Sequence, residues 1–160
     1  MQLRIITTGG TIDKVYFDTT SDYQVGEPAI VDLLNNMAVN FSFTVSVAFQ
    51  KDSLDMTAVD RAMLRDRVLN CSENHVLITH GTDSMVATAL TLIDVPDKCI
   101  VLTGAMQPAA FINSDAVFNI GCALGAVQSK PAGVYIAMNG RIFDADRVGK
   151  NVAKNIFEKI

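Results

Sequence analysis

The chain has 160 residues, 49% of them hydrophobic and 19% charged, with a formal net charge of −4. This is an ordinary globular composition, long enough to bury one sizeable core. It argues against nucleic acid as a partner, because duplex binding takes a basic face to displace counterions. Arg61, Arg65 and Arg67 come nearest to a basic run and are spaced as the solvated flank of a helix.

Leu3 to Thr8 is an apolar, β-branched run that reads as a first strand and is too short for the core of a secretory leader. No stretch approaches the roughly 18 apolar residues of a membrane helix, so no membrane partner and a cytoplasmic setting are expected. Residues 14–26 are polar, rich in Asp, Thr, Ser and Tyr, and without a period; they read as a long loop of the kind that covers sites. Residues 28–36 form a helix with Pro28 in its first turn. Residues 43–49 alternate as a strand. Thr57-Ala-Val-Asp60 is a capping box with Asp where Glu or Gln is usual, opening a helix to about Leu69. His75 to Thr79 is a short apolar strand, followed by His80-Gly-Thr-Asp-Ser84 and a helix to about Ile93. Cys99 to Thr103 is another buried strand. A loop over 104–113 leads to Ser114, which can cap a helix to about Gln128.

Gly133 to Met138 is a last core strand, and Asn139-Gly140 signals a hairpin that brings residues 141–143 back against it. Beyond Lys150, the residues Val152, Ile156, Phe157 and Ile160 are spaced for a short docked helix. Cys71, Cys99 and Cys122 are odd in number and far apart, with no Cys-x-x-Cys, which suits free thiols in a reducing compartment. The alternation of strands and helices predicts one α/β domain over residues 1–160. It should be a three-layer αβα sandwich with a mostly parallel sheet, right-handed crossovers and a C-terminal β-hairpin.

In such sheets ligands bind beyond the carboxyl ends of the strands. There the sequence places Thr8-Gly9-Gly10-Thr11-Ile12, then His80-Gly81-Thr82-Asp83-Ser84, then Gly104-Ala105-Met106. Glycine lets backbone N–H groups approach a ligand, and threonine supplies a hydroxyl that a base can turn into a nucleophile. Asp83 stands at or near a helix N-cap. Taken singly, Gly9-Gly10 is a tight turn, Thr82-Asp83 a helix cap, Tyr23 a surface residue and Lys150 a solvated one. Phosphate loops, dinucleotide fingerprints and the Gly-x-Ser-x-Gly elbow are all missing. His75 and His80 lack metal-site spacing, so neither metal nor cofactor is expected, and His80 is expected to orient its turn rather than act as a base.

Taken together, the segments resemble the N-terminal domain of the bacterial L-asparaginase/glutaminase family, standing alone without that family's second domain. Residues 8–12 resemble its first signature, and His-Gly-Thr-Asp-Ser-Met at 80–85 its second, with Ser84 where Thr is usual. Residues 22–26 resemble its flexible loop, 52–56 its substrate-binding turn, and 104–108 and 144–150 two later segments. The resemblance implies a Rossmann- or flavodoxin-like core. It implies Thr11 as primary nucleophile, assisted by Tyr23, and Thr82, Asp83 and Lys150 as a second catalytic set. Asp83 and Ser53 would grip the α-ammonium and α-carboxylate of an amino-acid amide, with Asp55, Gly10 and Gly81 lining the site. The Ala105 carbonyl would meet the scissile amide, and backbone N–H groups around Gly10 and Thr11 would hold the oxyanion.

Two departures stand out. Leu54 follows the binding serine where the family has Gln or Ser, and an acidic group from a neighbouring subunit's second domain is missing. The reading is therefore an amidohydrolase acting on asparagine or a related small amide and closing its site as a homo-oligomer. A small-residue helix face at Gly121, Ala123, Gly125 and Ala126 offers itself to a neighbour or, more plainly, to its own sheet. The alternatives are an amino-acid-binding module without turnover and an ammonia-supplying subunit of an amidotransferase.

Overall fold

The computed structural model describes all of residues 1–160. Its central sheet has six strands: β1 (Gln2–Gly9), β4 (Ser42–Lys51), β5 (His75–Thr79), β6 (Cys99–Thr103), β7 (Gly133–Met138) and β8 (Arg141–Asp144). They lie in the order β4-β1-β5-β6-β7-β8, parallel except for the antiparallel pair β7–β8. Four helices cover the sheet: α1 (Ala29–Asn36), α2 (Ala58–Asn70), α3 (Met85–Leu90) and α4 (Ala116–Ser129). Two hairpins complete the chain. β2 (Lys14–Phe17) pairs with β3 (Asp22–Val25), and β9 (Val148–Asn151) pairs with β10 (Ile156–Lys159). No helix is long and apolar enough to cross a membrane.

The layers follow from strand alternation, since successive side chains point to opposite faces. Val76, Ile78, Ile100, Leu102, Ile136 and Met138 point to one side, where they meet Leu64 and Val68 of α2 and Met85 and Ala89 of α3. Leu3, Ile5, Leu77, Val101 and Ala137 point to the other, against Ile30 and Leu34 of α1 and Ile120, Ala123 and Val127 of α4. Both faces are buried, so the strands read as near-continuous apolar runs, as parallel strands do.

One expectation about handedness fails. The chain steps from β1 outward to β4 through α1, and from β6 outward in the opposite sense to β7 through α4. Both helices nevertheless lie on the same face. The steps through α2 and α3 use the other face and match the hand of the α1 step. With those three right-handed, as is the rule, the β6–α4–β7 crossover is left-handed. The loop after β6 makes this possible. It carries the chain over the carboxyl ends of the strands before α4 begins, and Asp115 fastens it by accepting Met106 N–H and Gln107 N–H at 3.0 and 3.1 Å.

Three further elements differ from their sequence reading. Residues 14–26 form the β2–β3 hairpin rather than a loop. Most of its side chains are exposed, so no apolar alternation marks it. The tail forms the β9–β10 hairpin rather than a helix: of the apolar residues beyond Lys150 only Phe157 is deeply buried, and Asn155 turns the chain with φ 52°. The helix after β5 is short and stops at Leu90, passing into turns. The Arg61, Arg65 and Arg67 flank is also not simply solvated. Arg61 donates to the Thr88 hydroxyl, Arg65 pairs with Asp94 at 2.8 Å, and Arg67 donates to the Val47 carbonyl, which together fasten α2 to its neighbours. Asn139 and Gly140, with φ of 53° and 73°, make the tight turn between β7 and β8 that their sequence signals.

Candidate active site

The parallel strands run in the order second, first, third, fourth, fifth, so the direction of winding reverses between β1 and β5. Ligands of doubly wound sheets bind at that reversal. The ends of these two strands are joined closely. The Thr8 hydroxyl donates to the Thr79 carbonyl at 2.9 Å. Gly9 and Gly10 follow with φ of 88° and 89°, a region side-chain-bearing residues avoid. A Cβ on Gly10 would overlap the Gly81 backbone, and one on Gly81 would lie 2.5 Å from Ser53 Cβ. The two turns and the Ser53 turn thus stack backbone on backbone. Ser84 fastens the last pair by donating its hydroxyl to the Ser53 carbonyl at 2.6 Å.

His80 sits beneath this stack, fully buried. Its Nδ1 lies 2.7 Å from the Gly81 carbonyl and its Nε2 2.9 Å from the Thr88 hydroxyl. Burial holds its pKa down at about 4, so at neutral pH the ring is uncharged. The neutral ring donates from Nδ1 and accepts at Nε2. It orients the turn, as its sequence position suggests.

Above the stack, Lys150 arrives from β9. Its ammonium donates to the Thr82 hydroxyl at 2.8 Å and to the Asp83 carboxylate at 2.6 Å. Thr82 is buried and Asp83 half-exposed, while the Lys150 side chain keeps only 12% of its surface. A cation held against a hydroxyl lowers the cost of removing its proton. Asp83 lies near the helix start, one residue before Ser84 at the N-cap of α3, and its carboxylate turns to Lys150.

Thr11 opens a single 3₁₀ turn, Thr11–Asp13, directly after β1 and is half-buried. Gly10 N–H does not point into open space, because it donates to the Lys51 carbonyl at 2.9 Å. That removes one of the oxyanion donors expected from the sequence. Ser53 lies in a second 3₁₀ turn, Ser53–Asp55, and its hydroxyl is buried without a partner. An unpaired buried hydroxyl is costly and calls for a ligand or water. Asp55 lies on the same turn, exposed, and Leu54 between them keeps 75% of its surface free.

Tyr23 stands on β3 with its ring edge-on between Tyr16 at 5.5 Å and Phe111 at 5.9 Å. Its backbone N–H donates to the Asp22 carboxylate at 2.7 Å. Lys14, at the hairpin's base, bonds the Asp52 carboxylate at 2.8 Å and keeps that group below its ordinary pKa. The hairpin is thereby fastened to the Ser53 turn. Ala105 is buried in the loop over the strand ends. The structure therefore joins Thr82, Asp83 and Lys150 by hydrogen bonds and stacks Gly10, Gly81 and Ser53 in contact. Thr11 and Asp55 lie in the two 3₁₀ turns, Tyr23 on β3, and Ala105 in the loop after β6.

Sequence reading missed the groups beneath the Ala105 loop. Asn119, fully buried on α4, donates to the Gly104 carbonyl at 3.0 Å and to Asp115 at 2.7 Å. A polar residue at a core position of the apolar stripe Ala116, Ile120, Ala123 and Val127 is the signal that could have found it.

The family model described as "Asparaginase, N-terminal" matches residues 2–158. The glutaminase-asparaginase of Acinetobacter glutaminasificans is 32% identical over 165 residues, covering 92% of this chain and 49% of that protein. A glutamyl-tRNA(Gln) amidotransferase subunit of Methanococcus vannielii is 29% identical over 153 residues, covering 89% of this chain and 35% of that protein. Among solved structures, the thermostable L-asparaginase from Thermococcus kodakarensis superposes with a TM-score of 0.89 at 27% identity, over 100% of this chain and 51% of that one. The chain thus spans about half or less of the length of these relatives. It belongs to the asparaginase family, matching it through the N-terminal region in which every residue of this site lies.

Proposed function

We propose that the chain is an amidohydrolase that converts the side-chain amide of L-asparagine, or a related small amide, to the acid and ammonia. The observation that carries this reading is the Lys150 ammonium, brought by folding to 2.8 Å from the Thr82 hydroxyl and 2.6 Å from Asp83. Such a triad polarises a hydroxyl and, through it, a water poised to attack a carbonyl. In the proposed course the Thr11 hydroxyl adds to the amide carbon, its proton is relayed to the amide nitrogen through the Tyr23 hydroxyl, which accepts it while giving up its own, and the C–N bond breaks as ammonia leaves. Water, oriented at Thr82 by Lys150 and Asp83, then adds to the acyl-enzyme and releases the acid. In this course the Thr11 N–H stabilises the developing oxyanion. The unpaired Ser53 hydroxyl takes the α-carboxylate, Asp83 the α-ammonium, and Asp55 adds its charge at the same end of the site. Gly10 and Gly81 provide close backbone walls, and the Ala105 carbonyl accepts from the scissile amide.

Two copies closing each other's site belong to this reading. Support comes from the apolar rim around it, where Tyr16, Tyr23 and Phe111 are exposed and Ile112 keeps 99% of its surface. A second reading, an ammonia-supplying subunit of an amidotransferase, is favoured by the Methanococcus relative's name and by its match to 89% of this chain.

The test is ammonia release by the pure protein with asparagine and then glutamine, beside Thr82→Val. Free ammonia abolished in the variant supports the first reading. A folded protein that releases none alone but does so with a co-purifying second protein supports the other. Binding of either amide without turnover under all conditions would overturn both.

A further inference from the structure

Lys150 reaches Thr82 from a hairpin that pairs with nothing in the central sheet. What holds that hairpin in place therefore decides where the ammonium lies. In the β9–β10 ladder Lys150 stands directly opposite Phe157. Residues opposite each other in an antiparallel pair project to the same face. Phe157 is buried in the core shared by α2 and α3, and Lys150 extends beside it toward Thr82. The backbone N–H of Phe157 donates to the Asn139 side-chain carbonyl at 2.9 Å. Asn139 is itself fixed. It occupies the tight turn after β7 at φ 53°, and its own N–H donates to the Asn119 side-chain carbonyl at 3.2 Å. Asn119 in turn holds the Gly104 carbonyl, next to Ala105.

We propose that Asn139 is a positioning residue for Lys150. Its side-chain carbonyl anchors Phe157, and through the Phe157–Lys150 pair it sets the ammonium against Thr82 and Asp83. The same chain of bonds, through Asn119, ties Lys150's placement to the loop that carries Ala105. Asn139 touches neither substrate nor reacting atoms in this scheme. Its catalytic meaning rests on the amidohydrolase reading, but its effect on Lys150 does not.

Asn139→Gly and Asn139→Asp separate the two roles of this position. Both residues accept the positive φ of the turn, so both variants fold. Glycine removes the side-chain acceptor for Phe157 N–H, whereas aspartate keeps one. The measurement is the rate at which an amine acetylating reagent modifies Lys150, read by peptide mass spectrometry with no substrate present. Thermal unfolding of each protein serves as a control. In the wild type the partly buried ammonium, held by two hydrogen bonds, reacts slowly. Asn139→Gly is expected to raise the rate about threefold to tenfold, the change that follows from losing one hydrogen bond of ordinary net strength. Asn139→Asp is expected to keep the wild-type rate. A wild-type rate in Asn139→Gly, or equal acceleration in both variants, overturns the proposal. Because labelling needs no turnover, a chain that hydrolyses no amide still tests it. If the chain does hydrolyse one, Asn139→Gly lowers kcat with KM little changed, and Asn139→Asp restores it.

Discussion

Asp13 lies two residues past Thr11 and closes the base of the β2–β3 hairpin. Its backbone carbonyl accepts Gly26 N–H at 2.8 Å, and its carboxylate accepts Ala29 N–H, in the first turn of α1, at 2.9 Å. Burial raises its pKa from an ordinary 3.8 to about 7; the Ala29 bond pulls the other way, and the nearby Glu27 adds to the rise. The folded state therefore holds a proton here that the unfolded chain gives up near pH 4. Stability is lost as pH climbs from about 4 to about 7, and the loss is complete above that. Asn at this position keeps an acceptor for Ala29 and removes the charge. Asp13→Asn should melt with the wild type near pH 4, above it by a margin that grows to pH 7, and by a constant margin beyond. Melting curves across that range check this, and a margin independent of pH would refute the burial of a titrating carboxyl. Nothing in the sequence marks Asp13 out, because its environment is made by Gly26 and α1. Thr11, Thr82 and Asp83 are legible for the opposite reason: each sits within a few residues of a strand end and a glycine turn. Lys150 and Thr82 are 68 residues apart, and only the resemblance to a family paired them.

Elements with one buried face were legible, and those without one were not. The α2 cap is the clearest success. Thr57 accepts Asp60 N–H while the Asp60 carboxylate accepts Thr57 N–H at 2.8 Å, so Asp does the work usually given to Glu. These bonds, led by the Thr57 N–H and followed by Lys51, bring the Asp60 pKa down to about 2. Thr57→Ala removes the hydroxyl acceptor and should cost about 1 kcal/mol. For a chain of this length that is a fall in Tm of about 2–4 °C, measurable by calorimetry; no fall would mean that the Asp60 carboxylate, held by the backbone N–H at 57 and by Lys51, suffices for the helix start. The two hairpins failed to read as strands because each pairs only with itself. The spacing of Val152, Ile156, Phe157 and Ile160 suggested a helical face, yet Val152 and Ile160 lie in solvent and Phe157 alone reaches the core. Similarly, Gly121 and Gly125 face open space while Ala123 and Ala126 pack on the sheet, so α4's small residues serve two different sides.

At the scale of the molecule, a two-sided apolar sheet predicts a doubly wound fold, but the face each helix takes is a global matter. The left-handed step through α4 left no local trace. The loop that makes this step possible crosses the strand ends with Ala105, brings Phe111 against Tyr23, and leaves the neighbouring Ile112 in solvent. A rim this apolar on the open side of a site is unfavourable in water, and a second copy that covered it would bury Ile112 first. Assembly should therefore be tied to turnover. Light scattering at assay concentration is expected to show at least a dimer, with ammonia release per chain falling on dilution as dimers dissociate. Ile112→Asp should give a folded monomer, with activity lost in proportion to the dimer and Lys150 still slow to react with an acetylating reagent. A wild-type chain that is monomeric and fully active would sink the assembly while leaving the Thr82–Lys150–Asp83 site standing. An Ile112→Asp chain that remains dimeric would instead move the contact to another face, of which the open glycine edge of α4 beside the exposed Phe118 is the next to alter.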